Sequence, residues 1–132
     1  MTLQQLSSVY YLEKEIARLK EKIEELDTIA QKTTATLSTQ PRGSGISDKV
    51  GEYGSAIADL KTLLEQTQTE RLREECKLYL YINTIPDALT RLIFQYRFID
   101  LLSWNEVADK IGGNHNEKSV SIICYRYIKN NN

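Results

Sequence analysis

The sequence predicts an all-α protein in which a long antiparallel helical hairpin, a coiled coil, precedes a three-helix module containing a helix-turn-helix. Only two prolines and six glycines interrupt 132 residues, so long helices can form. Apolar residues in the first half recur with heptad spacing, which is typical of a coiled coil. In the second half, three shorter amphipathic segments follow one another between turn signals. We therefore divide the chain into a dimerisation region (1–83, with a loop near 38–47) and a helix-turn-helix domain (84–132).

Composition excludes several classes of protein. Lys and Arg (17) nearly balance Asp and Glu (18), which argues against a chain that coats nucleic acid without specificity. No apolar run approaches the roughly 20 residues that span a bilayer, and the N-terminus lacks the pattern of a signal peptide. Cys76 and Cys124 lie far apart, without the spacing of a metal site. We expect a cytoplasmic protein without a cofactor, a metal ion or a membrane partner, and no set of residues points to an enzyme.

The first half carries two apolar seams with charged flanks. Both seams alternate steps of three and four residues, and a stripe this narrow needs a second helix to cover it. The first seam consists of Val9, Leu12, Ile16, Leu19, Ile23, Leu26 and Ala30. The second seam begins with Val50, Tyr53, Ile57, Leu60, Leu64 and Thr67, and it continues through Leu72, Leu78 and Ile82.

The sequence leaves the pairing of these seams open. A break at 39–45 separates them, so they can fold into an antiparallel hairpin that covers both. Two such hairpins would then form a four-helix dimer. The alternative is a parallel coiled coil between two chains, with the second helix folded elsewhere. The apolar residues left on other faces, which invite a second chain, include Leu3, Leu6, Tyr10, Tyr11, Ala56 and Leu63.

The second half predicts three helices, at about 86–99, 103–111 and 117–130. Ser103 and Glu106 have the spacing of a capping box, which satisfies free backbone N–H groups at a helix start. Gly112 supplies the positive φ that a helix stop needs. The middle and last helices then have the order of a helix-turn-helix, in which the last helix enters the major groove of DNA.

The last helix is amphipathic, and its outward face has the chemistry of a DNA-reading surface. Lysine and arginine reach guanine acceptors or phosphates, serine and tyrosine donate to phosphates, and isoleucine can contact a thymine methyl group. The residues predicted to face DNA are Lys118, Ser119, Ser121, Ile122, Tyr125, Arg126 and Lys129. We expect Trp104 to anchor the packing of the middle helix. Arg97 has two readings, an ion pair with Glu106 or Asp100 and a contact with DNA.

These C-terminal residues resemble sigma-factor region four and, more closely, phage late-transcription activators of the RinA type. The resemblance is carried by Leu92–Phe98, Leu102–Ala108 and Ser119–Lys129, which match the family patterns LxxRY, WxEIA and sVxxiyyRyL. The order Tyr96-Arg97 is inverted against the family's Arg-Tyr. The resemblance implies a DNA-binding regulator of phage genes in the bacterial host cytoplasm, acting with host RNA polymerase.

We therefore expect a dimeric, sequence-specific transcription regulator, an activator, whose partner is double-stranded DNA. Dimerisation would make the second module's contact intramolecular and raise the avidity for DNA. One alternative is a sigma-like adaptor that docks on RNA polymerase and has little DNA affinity of its own. Another is a structural or packaging accessory protein, in which the coiled coil assembles and the helix-turn-helix is a small structural bundle.

Overall fold

The computed structural model describes residues 1–39 and 44–131, and helices are the only regular elements among them. The prediction of an all-α protein is therefore confirmed. Residues 40–43, the centre of the predicted loop, lie outside the described residues. The helices are α1 (Leu3–Leu6), α2 (Ser8–Thr39), α3 (Ser44–Ile82), α4 (Ala88–Phe94), α5 (Trp104–Ile111) and α6 (Glu117–Asn130), with a π-helical turn (Gln95–Ile99) directly after α4. Within the described ranges, no helix is both long and apolar enough to cross a membrane.

The chain forms two compact units. One contains Met1–Glu13 together with Glu70–Asn132, and the other contains Lys14–Thr69. The first unit thus joins the start of α2 and the end of α3 to the C-terminal helices. This division differs from the predicted boundary between residues 83 and 84.

The core of the first unit draws on residues far apart in the sequence. Leu6 and Val9 at the N-terminus are fully buried, as is Ile85 before α4. Short helices such as α4 and α5 leave much apolar surface uncovered, so the long helices complete the core. Leu6 is therefore a core residue and not the surface residue that the sequence suggested for contact with a second chain. The other buried members of this cluster are Leu78, Ile82, Ile93, Phe94, Phe98, Ile99, Val107, Ala108, Val120, Cys124 and Ile128.

Polar contacts also join α2 to α3 within the first unit. Arg71 Nε lies 3.0 Å from Glu13 Oε2, and Ser8 Oγ donates to Glu74 Oε2 at 3.3 Å. Both members of the ion pair are partly solvent-exposed, so we expect it to add less to stability than the apolar core. Leu72, the next residue along α3 after Arg71, is 60% exposed, so its predicted place in the apolar seam is wrong.

The second unit has the burial pattern of the predicted seams. Ile16 is buried, and the seam residues that follow it on α2 are half-buried between exposed charged residues. Ile23 of α2 and Ile57 and Leu64 of α3 line a common groove, so the two helices lie side by side here. The antiparallel hairpin itself stays a prediction.

The segment predicted as one helix over 86–99 has two parts. Asp87 caps α4, because its Oδ2 accepts hydrogen bonds from Thr90 N at 3.1 Å and Thr90 Oγ1 at 2.8 Å. The π-helical turn then adds a wider loop of backbone, in which Asp100 N donates to Gln95 O at 3.0 Å. Leu101, directly after the turn, has a φ of 60°. A leucine rarely adopts this left-handed conformation, so the connection to α5 is strained.

Candidate nucleic-acid interface

The start of α5 is fixed by the predicted capping box. Ser103 Oγ accepts a hydrogen bond from Glu106 N at 3.3 Å, and Ser103 N donates to Glu106 Oε1 at 3.1 Å. The hydrogen bond from Ser103 N, and next an interaction with the Ser103 side chain, lower the pKa of the Glu106 carboxyl because they favour its charged form. Gly112, with a φ of 75°, ends the helix as predicted. The box therefore sets where α5 begins and which face it turns to the core.

The start of α6 is fixed by a second capping box. Asn116 Oδ1 accepts from Ser119 N at 2.8 Å, and Asn116 N donates to Ser119 Oγ at 2.9 Å. The Ser119 hydroxyl also donates to Asn116 O at 3.0 Å. Ser119, predicted to face DNA, is half-buried and serves the helix start in this structure.

Five of the seven predicted DNA-facing residues are exposed on α6. The opposite face of the helix, which includes Val120, Cys124 and Ile128, is buried in the core. Ser121 is half-buried, and its hydroxyl donates to Lys118 O at 2.9 Å. The exposed residues are Lys118, Ile122, Tyr125, Arg126 and Lys129, which we call the α6 face.

A row of three side chains, which we call the aromatic column, connects the π-helical turn to the α6 face and consists of Arg97, Trp104 and Tyr125. The Arg97 guanidinium carbon lies 4.5 Å from the centre of the Trp104 ring, and Arg97 Nη1 donates to Leu102 O at 3.0 Å. The Trp104 ring meets Tyr125 edge-on, with 5.7 Å between ring centres. Arg97 thus uses a cation–π contact instead of either predicted carboxylate. Half-buried Trp104 packs against the core, as expected of an anchor, and positions Tyr125.

A crevice runs between the start of α5 and the start of α6. Trp104, Lys118, Ser121 and Tyr125 line it, together with residues that the sequence reasoning missed. One of these, Asn116, could have been found from its capping-box spacing to Ser119. The others, Asn105 and Glu117, carry no comparable signal in the sequence. Amide and carboxylate groups at such positions can bond to base edges, so they add hydrogen-bonding capacity to the crevice.

The charge of α6 suits a modest attraction to DNA. The helix carries Lys118, Arg126 and Lys129 against one carboxylate, Glu117, and all four are exposed. Such a surface supports a few phosphate contacts rather than a broad basic patch.

Two ionisable side chains, His115 and Cys124, lie close to the α6 face. Among the described residues, no group of three or more His, Cys, Asp or Glu could hold a metal ion. His115 Nδ1 lies 3.5 Å from Ser119 Oγ, next to the helix start. Cys124 is buried beneath the α6 face, and burial raises the pKa of its thiol to about 12. A thiol in this state is a packing group and not a nucleophile.

Comparison of the chain with models of protein families, with curated proteins and with solved structures finds no significant match. The function must therefore be argued from the residues of the site.

Proposed function

We propose that the protein is a DNA-binding transcription regulator of phage type, acting as a dimer through a helix-turn-helix formed by α5 and α6. The α6 face would enter the major groove, and the start of α5 would lie against the DNA backbone. The observation that carries the proposal is the α6 face itself. Its cations, tyrosine and isoleucine lie together on the exposed side of a helix whose other side is locked into the core.

The contacts around the α6 face support this role. Two capping boxes fix the starts of α5 and α6, and the buried residues of both helices belong to one core cluster, so the two helices are packed together before any ligand binds. Trp104 limits the positions that Tyr125 can adopt. Side chains held in this way lose little conformational entropy on binding, which favours a specific contact even where the charge is low.

A dimer would compensate for the small number of cations on each module. Apolar side chains stay exposed on α3, including Leu63, Leu72 and Leu80, and they supply surface for a second copy. Two modules bound to one duplex gain avidity, since the second contact is intramolecular. Light scattering at micromolar concentration tests this step, and a monomeric protein would contradict it. The activator role and the host RNA polymerase as a partner rest on the family resemblance alone.

Salt-dependent DNA binding tests the proposal. If the three cations of the α6 face each neutralise one phosphate, raising the salt from 50 to 200 mM weakens one module about 40-fold. Substituting Arg126→Ala and Lys129→Ala removes two of these contacts, so the salt slope should fall by about 1.8 per module. The matched control is Lys20→Ala with Lys49→Ala, which removes two exposed cations from the second unit. A double variant of the α6 face that binds with the parent's affinity and slope would contradict the assignment of α6.

One observation favours a second function, a sigma-like adaptor that docks on RNA polymerase. The chain has a net charge of −1, and Glu117 stands among the few cations of α6, so its independent affinity for DNA can be low. Co-purification with bacterial RNA polymerase, together with no binding to any duplex at low salt, would support the adaptor instead.

A further inference from the structure

A groove lies beside the aromatic column, between the N-terminal helices and the π-helical turn. Tyr10 and Tyr11 of α2 line one side, and Leu101 and Tyr125 line the other. Every residue of the groove belongs to the first unit. Tyr125 also borders the crevice between α5 and α6, so the groove continues the α6 face onto the start of α2.

The side chains around this groove offer hydroxyl donors rather than a net charge. Residues 1–12 contain no Asp or Glu side chain, although hydroxyl and amide side chains are frequent there. Arg97 contributes a cation to the groove. The carboxylate of Glu106 also lies there and balances this charge, with one oxygen accepting a hydrogen bond from Ser103 N. This combination is typical of surfaces that contact phosphates through hydroxyl donors.

Tyr11 is the most accessible aromatic donor of the groove. Its side chain is 64% exposed, and its ring meets Tyr10 edge-on with 5.3 Å between ring centres. Tyr125, across the groove, is 45% exposed. A phenol hydroxyl donates one hydrogen bond and suits a phosphate oxygen.

We propose that this groove binds the sugar–phosphate backbone of DNA next to the bases that the α6 face contacts, with Tyr11 as a hydroxyl donor. The inference rests on the proposed function and extends it, because it assigns a DNA contact to the N-terminal segment of the chain. The segment that completes the core of the module would thus also lengthen its contact with the duplex.

The salt dependence distinguishes this contact from the cationic ones. A neutral hydroxyl releases no counterion when it binds a phosphate, so its loss lowers affinity by the same factor at every salt concentration. Loss of one such hydrogen bond corresponds to about a two- to tenfold weaker affinity for each module. The variant Tyr11→Phe keeps the ring and removes only the donor, whereas Arg126→Ala with Lys129→Ala changes the slope.

The experiment measures binding of the full chain to two fluorescent mixed-sequence duplexes over a range of salt concentrations. A duplex of about 30 base pairs spans two modules and their flanks, and one of about 12 base pairs lacks the flanking phosphates. We expect Tyr11→Phe to bind the longer duplex about four- to 100-fold more weakly, which is two- to tenfold for each of the two modules, with an unchanged slope, and the shorter duplex with the parent's affinity. The control Tyr79→Phe, at an exposed tyrosine of α3 outside the groove, should match the parent on both.

Two results would overturn the inference, and they differ in what they say of the proposed function. If Tyr11→Phe binds the longer duplex like the parent while the α6 double variant is weakened, the groove is not a DNA contact and the proposed function stands. If the parent binds neither duplex at low salt, both proposals fail. Circular dichroism of Tyr11→Phe checks that the fold is unchanged, as expected at an exposed position.

Discussion

Substituting Leu6→Ala tests whether the N-terminal residues belong to the core of the C-terminal helices. Leu6 has no exposed surface and lies in the same cluster as Phe94 and Val107. Truncating a fully buried leucine costs about 2 to 5 kcal/mol, because apolar contacts are lost and a cavity remains. That is a large part of the stability of a small domain.

Trp104 provides the assay for this substitution. It is the only tryptophan, and it packs in the first unit against Arg97 and Tyr125, so its fluorescence reports unfolding there. With a urea dependence of about 1 to 3 kcal/mol per molar, a loss of about 3 kcal/mol lowers the urea midpoint by roughly 1 to 3 M. The matched control is Leu92→Ala, since Leu92 is 42% exposed on α4 in the same unit and should change stability by about 1 kcal/mol or less.

The reasoning fails if Leu6→Ala and Leu92→Ala shift the midpoint equally. Such a result would mean that residues 84–132 fold without the N-terminal helices, as the division of the sequence at residue 83 predicts. A selective effect of Leu6→Ala would instead show that the N-terminal residues stabilise the module that carries the α6 face.

Four further outcomes follow from individual residues. Gly112→Ala should lower stability by about 1 to 3 kcal/mol in urea unfolding, because its φ of 75° and ψ of −160° are open almost only to glycine. Gly54→Ala, within α3 and with nothing within 4 Å of an added Cβ, should raise it by about 0.5 to 1 kcal/mol. In thiol titration with an aromatic disulfide, exposed Cys76 should react in the native protein and buried Cys124 only after denaturation, and fast reaction of both would contradict the burial of Cys124. Because folding lowers the pKa of Glu106, its ionised carboxylate stabilises the fold at pH values above the ordinary carboxyl pKa. This contribution is lost as the pH falls through the folded-state pKa. The melting temperature of Glu106→Gln should therefore decrease less than that of the parent between neutral pH and about pH 3, and an equal decrease would contradict this.

Local signals predicted the helices of the C-terminal half well. The capping box of Ser103 and Glu106 is present, and the helix predicted over 117–130 is α6, Glu117–Asn130. Helix starts follow from hydrogen bonds within four residues, so the sequence contains the information that sets them. The amphipathic pattern of α6 is local too, which is why five of its predicted outward residues are exposed.

Long-range packing could not be predicted in the same way. A periodic apolar seam shows which side of a helix needs cover, but not which distant segment provides it. Leu6 therefore looked like a surface residue for a second chain, although it fills the core beside Phe94. The burial of Cys124 and the contact of Arg97 with Trp104 also depend on tertiary packing.

The π-helical turn affects how the chain can be aligned with helix-turn-helix sequences. An extra residue in a helix rotates everything after it by about 100° relative to a continuous α-helix. The inverted pair Tyr96-Arg97 lies within this turn, where residue spacing no longer corresponds to side-chain direction. A gap of one residue between positions 95 and 99 would restore the correspondence of faces on either side. Alignments that forbid a gap there would pair inward residues of one protein with outward residues of the other.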